Sequence, residues 1–322
     1  MRVARSVALR DVRLEEAPEP EPGADGVVCR VLACGVCGSD VSDAYVAAKL
    51  PAVLGHEVVG EVVAVGPAVH GPAIGDRVVV HHHVPCGECP VCAAGHETLC
   101  PRFRSTALEP GGFAERVRVS AELVPELLPL DGLDPVVATF AEPLGCALRA
   151  LDRTAVAAGE RLFVAGAGCA GLLVTAAARA RGIDALFVSE PRPERRERAL
   201  ALGAREHGGE EVDVAVVCTG APAAAVRAAE ALGPGGRLLL YATPPAPGTP
   251  LPIDWSLQFR RELTVLTSWS AGPADMRAAV ALLARGAVDP RPWVTHRLGL
   301  AETGRALELA RSGEALKAVV LP

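Results

Sequence analysis

Residues 161–181 hold the pattern that leaves this chain the fewest options. A short apolar run, Arg161-Leu-Phe-Val-Ala165, passes without a break into Gly166-Ala-Gly168-Cys-Ala-Gly171, and a stretch rich in alanine and leucine follows. The first part reads as a buried strand and the last as a helix. Glycines at this spacing let the backbone turn tightly, approach a pyrophosphate at the helix N-terminus and pack the helix on the strand. The next apolar run, 185–189, ends at Glu190, nineteen residues beyond Gly171. A carboxylate there hydrogen-bonds a ribose diol and repels a 2′-phosphate, which favours NAD over NADP. Arg192, Arg195 and Arg196 follow closely and suit a 2′-phosphate instead.

Strand and helix patterns continue to alternate. A helix is expected over 194–202, a strand over 212–218 ending in Thr219-Gly220, a helix over 223–232, a turn at 233–236, and strands over 237–241 and 263–268. Such alternation predicts an α/β fold built on a doubly wound parallel sheet. The loops at the strands' carboxyl ends, at Thr219, Ala242 and Ser268, are therefore expected to line the cofactor crevice together with Gly166, Gly168, Gly171, Glu190 and Arg195.

The first half is written differently. Short strands over 3–9, 12–16, 27–33, 58–65 and 75–80 are punctuated by glycine and proline turns, which indicates a compact barrel-like β unit. Cys86, Cys89, Cys92 and Cys100 then fall within fifteen positions. Four thiols at such short gaps wrap one tetrahedral zinc and leave no position for substrate, the mark of a structural site. Two disulfides or an iron–sulfur cluster are the competing readings. His81, His82 and His83 precede this lobe; on a strand, successive imidazoles alternate faces and cannot all reach one ion.

A second donor set lies earlier, in Cys34-Gly-Val-Cys37-Gly-Ser39-Asp40 and Leu54-Gly55-His56-Glu57. Thiolate, imidazole and carboxylate are all accepted by Zn²⁺, and the glycines let two separated loops face one ion. A redox Cys-x-x-Cys pair and an ordinary buried turn are the bland alternatives. Glu142 stands just before Pro143 where a helix opens, either as a cap or, facing the metal, as a ligand or base.

At 322 residues the chain exceeds one core, so two domains are expected. The net charge is −6, and of the 32 basic residues only Lys49 and Lys317 are lysine. No basic stripe is present, which argues against a nucleic-acid partner. The N-terminal residues lack a continuous apolar segment, and no run approaches the roughly 18 residues of a membrane helix. A cytoplasmic protein with no membrane partner is expected, its clustered cysteines serving metal rather than disulfides.

In combination and in order, Cys37-Gly-Ser-Asp, Gly55-His-Glu, the Cys86/Cys89/Cys92/Cys100 lobe, Glu142-Pro-Leu and the Gly166 turn resemble the zinc-containing medium-chain dehydrogenase/reductase family over nearly the whole chain. The resemblance implies a GroES-like β-barrel catalytic domain with a structural zinc lobe (1–148), a Rossmann NAD-binding domain (149–270) and a C-terminal return to the catalytic domain (271–322). It also implies a homodimer or homotetramer acting on a small-molecule alcohol or ketone. Glutamate at 142, where liver-type alcohol dehydrogenases carry cysteine, resembles the polyol, threonine and butanediol dehydrogenases. In that branch the residue matching Glu57 is often a zinc ligand and the residue matching Glu142 contacts zinc or its water. The implied catalytic zinc set is thus Cys37, His56, Glu57 and Glu142, with Ser39 taking the substrate proton. Many relatives place a histidine three residues after that hydroxyl; here the position is Ser42.

The activity so implied is hydride transfer between a secondary alcohol or polyol, or the matching ketone, and NAD. A biosynthetic ketone or aldehyde reductase using NAD(P)H, and a non-catalytic dinucleotide-binding protein, are the alternatives. Tyr45, residues 103–105 and Trp269 are the expected pocket residues.

Overall fold

The computed structural model describes residues 1–244 and 246–322. The backbone divides into two compact units, one of Met1–Glu142 with Ala271–Pro322 and one of Pro143–Ser270.

In the first unit the valine-rich strands form two antiparallel-dominated sheets. The larger runs Val294–Gly299, Lys317–Leu321, Val27–Gly35, Glu57–Val65, Arg77–Val80, Leu127–Pro129, with Arg116–Val119 also paired to Val27–Gly35. The smaller joins Asp11–Glu16, Arg2–Ala8 and Ala52–Val53. Val3, Val27, Val58, Val62, Phe113 and Val117 fill one core between them, so the near-absence of aromatics is met by β-branched side chains that suit a pleated surface. The C-terminal strand reaches the donor set directly. Val319 pairs with Gly35 and Val320 with Cys34, which carries Lys317 to the end of the strand that leads into Cys37.

The second unit carries six parallel strands in the order Arg205–Glu206, Leu186–Ser189, Leu162–Ala165, Val212–Val217, Leu232–Leu240, Thr264–Thr267. The chain starts mid-sheet, moves outward one way and then crosses back to fill the other side, the doubly wound order that the alternation predicted. Leu162–Ala165 is buried at every position, as a strand covered on both faces must be. Helix Pro222–Ala231 turns Ala224, Ala225, Ala228 and Ala229 inward.

Some elements differ from the sequence expectation. The turn expected at 233–236 is absorbed into strand Leu232–Leu240: Val212 pairs with Leu232 but Val214 with Arg237, so the extra residues bulge out around Gly235 at φ +72°. The helix after residue 140 begins at Ala141, which puts Glu142 inside its first turn rather than before it. Strand Val294–Gly299 and helices Trp255–Arg261 and Thr303–Ser312 come in addition to the expected elements. No helix among the described residues is long and apolar enough to cross a membrane.

Candidate metal centres and cofactor loop

The four-cysteine lobe is a finished cage. Its sulfurs lie 4.0 Å (Cys86 to Cys92), 3.5 Å (Cys89 to Cys92), 3.8 Å (Cys89 to Cys100) and 3.6 Å (Cys86 to Cys100) apart. Tetrahedral bonds of about 2.3 Å to one zinc would separate them by about 3.8 Å. Backbone N–H groups point at the sulfurs: that of Cys89 donates to Cys86 Sγ at 3.3 Å and that of Cys86 to Cys100 Sγ at 3.4 Å. Burial opposes ionisation of Cys100, yet the amides of Cys86, Phe103 and Arg102 bring its thiol down to about 6. Burial and the neighbouring thiols push Cys92 up to about 12, so only a thiophilic cation would let all four ionise together.

Cys100→Ser is expected to lower the zinc content by one ion per chain and the melting temperature by about 5 °C or more, the response of a domain this size to losing roughly 2 kcal/mol. Unchanged metal content and melting temperature would remove the lobe's structural role.

The second donor set is built where two strands end. The strand Val27–Gly35 runs into Val36, Cys37 and the short turn Gly38–Val41. His56 immediately precedes Glu57–Val65. Gly55 between them has φ +89°, and a Cβ on it would lie 2.9 Å from Cys34 Sγ and 3.0 Å from Phe113, so glycine is required on both conformational and steric grounds. Asp40 ties the pair together. It is 1 % exposed; its Oδ2 accepts the Cys37 N–H at 3.0 Å and its Oδ1 lies 3.5 Å from His56 Nδ1. Burial alone would lower the His56 pKa, but the charges of Asp40 and Cys37 together hold it well above the usual imidazole value.

With Nδ1 turned to a buried carboxylate, His56 keeps its other nitrogen for a metal, the arrangement that orients ligating histidines. Thiolate, oriented imidazole and carboxylate support together fit zinc. Asp40 is the residue that sequence reasoning missed, although it closes the Cys37-Gly-Ser-Asp motif. Cys34 does not share this site: its Sγ packs against Gly55 and Gly112, and burial pushes its thiol far up, which removes the physical basis for a Cys34–Cys37 redox pair.

The two glutamates differ. Glu57 is 1 % exposed and bonded to Lys317 Nζ, itself 3 % exposed and also donating to the Val36 carbonyl at 3.1 Å. A Cβ on Gly35 would fall 1.9 Å from Glu57 Oε2 and 3.1 Å from Lys317 Cε, so glycine at 35 makes the room for this pair. Burial raises the Glu57 carboxyl pKa, with Lys317 pulling it back and Glu142 adding to the rise. Glu142, buried on the first turn of Ala141–Thr154, is thus electrostatically in touch with the set. Among the described residues, Cys86, Cys89, Cys92 and Cys100 form the one group of three or more donors lying within 4.8 Å of one another. Cys37 lies within hydrogen-bond reach of His56 and Glu57 is held by Lys317, while no three of the expected donors Cys37, His56, Glu57 and Glu142 lie within that limit of one another.

The three histidines do not alternate on a strand, because Arg77–Val80 ends before them. Their rings cluster: His82 and His83 centroids are 4.1 Å apart, and His82 lies 4.9 Å from His56. His81 Nε2 bonds the Ala271 carbonyl and His83 Nδ1 that of Thr106, so His82 is the member that faces the site. Burial holds all three neutral, His81 at about 3 and His83 at about 4. Phe103, expected in a pocket, is fully buried with its centroid 5.0 Å from His83. Ser39, in the turn between Cys37 and Asp40, is half-buried.

In the second unit Gly166 closes Leu162–Ala165 with φ +98° and Gly168 caps helix Cys169–Ala180. A Cβ on Gly171 would meet the Gly166 carbonyl oxygen at 1.9 Å. Each glycine thus has its own reason to be one: the turn, the approach, the close packing. Glu190 ends Leu186–Ser189 and its carboxylate accepts N–H bonds from Ala167 at 2.7 Å and Arg192 at 3.0 Å. Arg195 is partly buried, its nearest Nη 3.7 Å from where a Gly168 Cβ would be; burial and the Arg192 charge lower its pKa. Thr219, Ala242 and Ser268 follow the carboxyl ends of Val212–Val217, Leu232–Leu240 and Thr264–Thr267.

Residues 23–129 match the family model of the alcohol dehydrogenase GroES-like domain, and residues 204–285 match that of the zinc-binding dehydrogenases. Sorbitol dehydrogenase of Bacillus subtilis is 32% identical over an alignment that covers 100% of this chain and 97% of that protein. L-threonine 3-dehydrogenase of Saccharopolyspora erythraea is 32% identical, with 96% and 95% covered. The solved structure of the alcohol dehydrogenase TADH of Thermus sp. ATN1 matches with a TM-score of 0.86 at 31% identity, covering 100% of this chain and 99% of that one.

Proposed function

The chain belongs to the zinc-containing medium-chain alcohol dehydrogenase family, in its polyol dehydrogenase-like branch, and we propose that it oxidises a secondary alcohol or polyol with NAD⁺ at a zinc held by Cys37, His56 and Glu142. The observation that carries this reading is the line Cys37, His56, Asp40: a thiol facing an imidazole whose far nitrogen is turned to a buried carboxylate. Glu57 stands one step back, its carboxylate held by Lys317.

Zinc at these residues supplies Lewis acidity that draws a hydroxyl pKa towards neutrality, and the dinucleotide supplies the hydride acceptor. Ser39 Oγ accepts the substrate's hydroxyl proton and hands its own to Ser42 or water, standing in for the histidine found in many relatives. His82, held neutral by burial, presents an uncharged wall beside His56 and so suits an uncharged substrate. The protein's share in the hydride step is orientation. The division of labour proposed is residues 1–148 with 271–322 for catalysis and 149–270 for the dinucleotide.

NAD⁺ and NADP⁺ screened spectrophotometrically against polyols, vicinal diols, threonine and simple secondary alcohols test the reading. Turnover confined to the NAD⁺ series with two zinc ions per chain is expected; no oxidation of any alcohol by metal-replete protein would sink it.

The NAD preference rests on Glu190, whose carboxylate is fixed by two backbone donors at the glycine loop. Removing a charge-assisted hydrogen bond of this kind shifts affinity by about tenfold or more. Glu190→Ala should therefore narrow the NAD/NADP ratio of kcat/KM by about that factor. A constant ratio would leave Arg192, Arg195 and Arg196 in charge of cofactor choice.

We also assign the chain to a cytoplasmic homodimer or homotetramer. Trp255 is 82% and Phe259 77% exposed on the helix before edge strand Thr264–Thr267, where Val265 is also exposed. Apolar surface beside an open strand edge calls for a cover. A single-chain mass by light scattering would withdraw the assignment.

A further inference from the structure

Both neighbours of His82 are tied by hydrogen bonds, and His82 is not. His81 Nε2–H donates to the Ala271 carbonyl at 3.1 Å, and His83 bonds the Thr106 carbonyl through Nδ1. The His82 ring is held by packing alone, its centre 4.1 Å from that of His83 and 4.9 Å from that of His56. Its two nitrogens differ in surroundings. Nδ1 is buried with no hydrogen-bond partner; Nε2 has none among the described residues either, but it is not buried. Nε2 therefore lies on the edge by which the half-buried ring reaches solvent. A ring nitrogen sits within one bond length of its ring's centre, so this open nitrogen stays beside His56.

A neutral imidazole has one N–H and one bare nitrogen. A proton on Nδ1 of His82 would be a buried donor with no acceptor, and such groups are rarer in folded proteins than buried bare acceptors. His81 shows the same division: its Nε2 meets a carbonyl oxygen, which requires the proton there, and its Nδ1 is left buried and unpaired. We infer that His82 carries its proton on Nε2, and that this N–H is the specificity-determining donor to a second oxygen of the substrate, on the carbon next to the one oxidised. Nearby carboxylates are already engaged, Asp40 by the Cys37 amide and His56, and Glu57 by Lys317. The assignment rests on the proposed zinc at Cys37 and His56: with the reacting oxygen there, a donor packed against His56 meets the next substituent along the substrate. A hydroxyl or carbonyl oxygen accepts from an N–H, a methyl group leaves it unpaired, and an ammonium brings only donors. The substrate class is therefore the vicinal diol or its hydroxyketone, ahead of the simple secondary alcohol and of the vicinal amino alcohol.

Two measurements test it. In zinc-replete wild-type protein saturated with NADH and labelled with ¹⁵N at histidine, the ring signals missing from His82→Phe identify His82. They should show the proton on Nε2, and the Nε2 signal should move on titration with 2,3-butanediol but not with 2-butanol. A proton on Nδ1, or a signal that the diol leaves in place, overturns the inference whatever the turnover. In steady-state kinetics, kcat/KM of the wild type should be about tenfold higher for 2,3-butanediol than for 2-butanol or 3-amino-2-butanol, the worth of one hydrogen bond and the cost of leaving its donor unpaired. His82→Phe should cut the diol-to-monoalcohol ratio about tenfold. His82→Gln, whose amide offers an N–H in place of the ring's, should hold that ratio closer to wild type than His82→Phe does. A ratio unmoved in folded His82→Phe, or a wild type that prefers the amino alcohol, overturns the role of His82 and leaves the proposed oxidation standing. No turnover of any of the three compounds would sink the proposed oxidation instead, and the titration would still decide on His82. Should His82→Phe not fold, the comparison of His82→Gln with wild type supplies the signal assignment.

Discussion

Cys37→Ser is expected to lower kcat/KM for alcohol oxidation by about three orders of magnitude, equivalent to about 4 kcal/mol of transition-state stabilisation. The reason lies in the donor. A serine hydroxyl stays protonated near neutral pH and is a poor match for a borderline-soft ion, so the site loses its one anionic sulfur. The loss should be local. Cys37 is not part of the buried valine core, and its backbone amide, which anchors Asp40, survives the substitution. The variant should therefore melt close to wild type, bind NADH with unchanged affinity, and hold one zinc per chain instead of two. The remaining zinc belongs to the cysteine lobe. Turnover retained within tenfold would take the metal out of the mechanism, and loss of NADH binding as well would mean that the fold, rather than the site, had been damaged.

Legibility in the sequence tracks which physical constraints are local. Gly166 and Gly171 were legible because a positive φ and a 1.9 Å approach admit only glycine, and these requirements are met within one turn of chain. The four-cysteine cage was legible because its spacing alone wraps one ion. Elements were lost where context overrode pattern. Strand Val294–Gly299 alternates exposed polar residues at a sheet edge and reads as loop. The period-two expectation puts the three histidines on a strand, but that strand stops at Val80, so their real arrangement, a cluster with His82 against His56, could not be inferred from it.

Least legible were the partnerships that close over long stretches of sequence. Lys317 meets Glu57 across 260 residues, and nothing in the local sequence of either announces the other. The composition held one hint: with only two lysines in the chain, one kept in a C-terminal strand of otherwise apolar residues has a local reason to be there. Asp40 was visible in its motif, but its role needs the second loop to fold back and offer His56. Sequence thus named the donors and left open which of them act on metal and which act on each other.

The buried Lys317–Glu57 pair sets the second large expectation. Lys317→Met keeps the apolar stem and removes the ammonium, so a carboxylate that is 1 % exposed loses its counter-charge, its donor and the cation held 5.4 Å from the Phe140 ring. Breaking one side of a buried pair costs about 3–5 kcal/mol, most of it the uncompensated charge left behind. The variant's urea midpoint should fall accordingly. The sign with pH follows from the direction of the shift. Burial raises the Glu57 carboxyl above its unfolded value, and more so without Lys317. A group of that kind stabilises the fold when protonated and loses the contribution as pH rises through the folded value. The deficit of Lys317→Met should therefore shrink on acidification and grow towards alkaline pH. Adding Glu57→Gln removes the charge that needs compensation and should recover at least about half of the loss. If the two substitutions prove additive, or if the single variant loses less than about 1 kcal/mol, the pair is not the electrostatic unit that its burial indicates, and Glu57 returns to Cys37 and His56 as a direct donor to the ion.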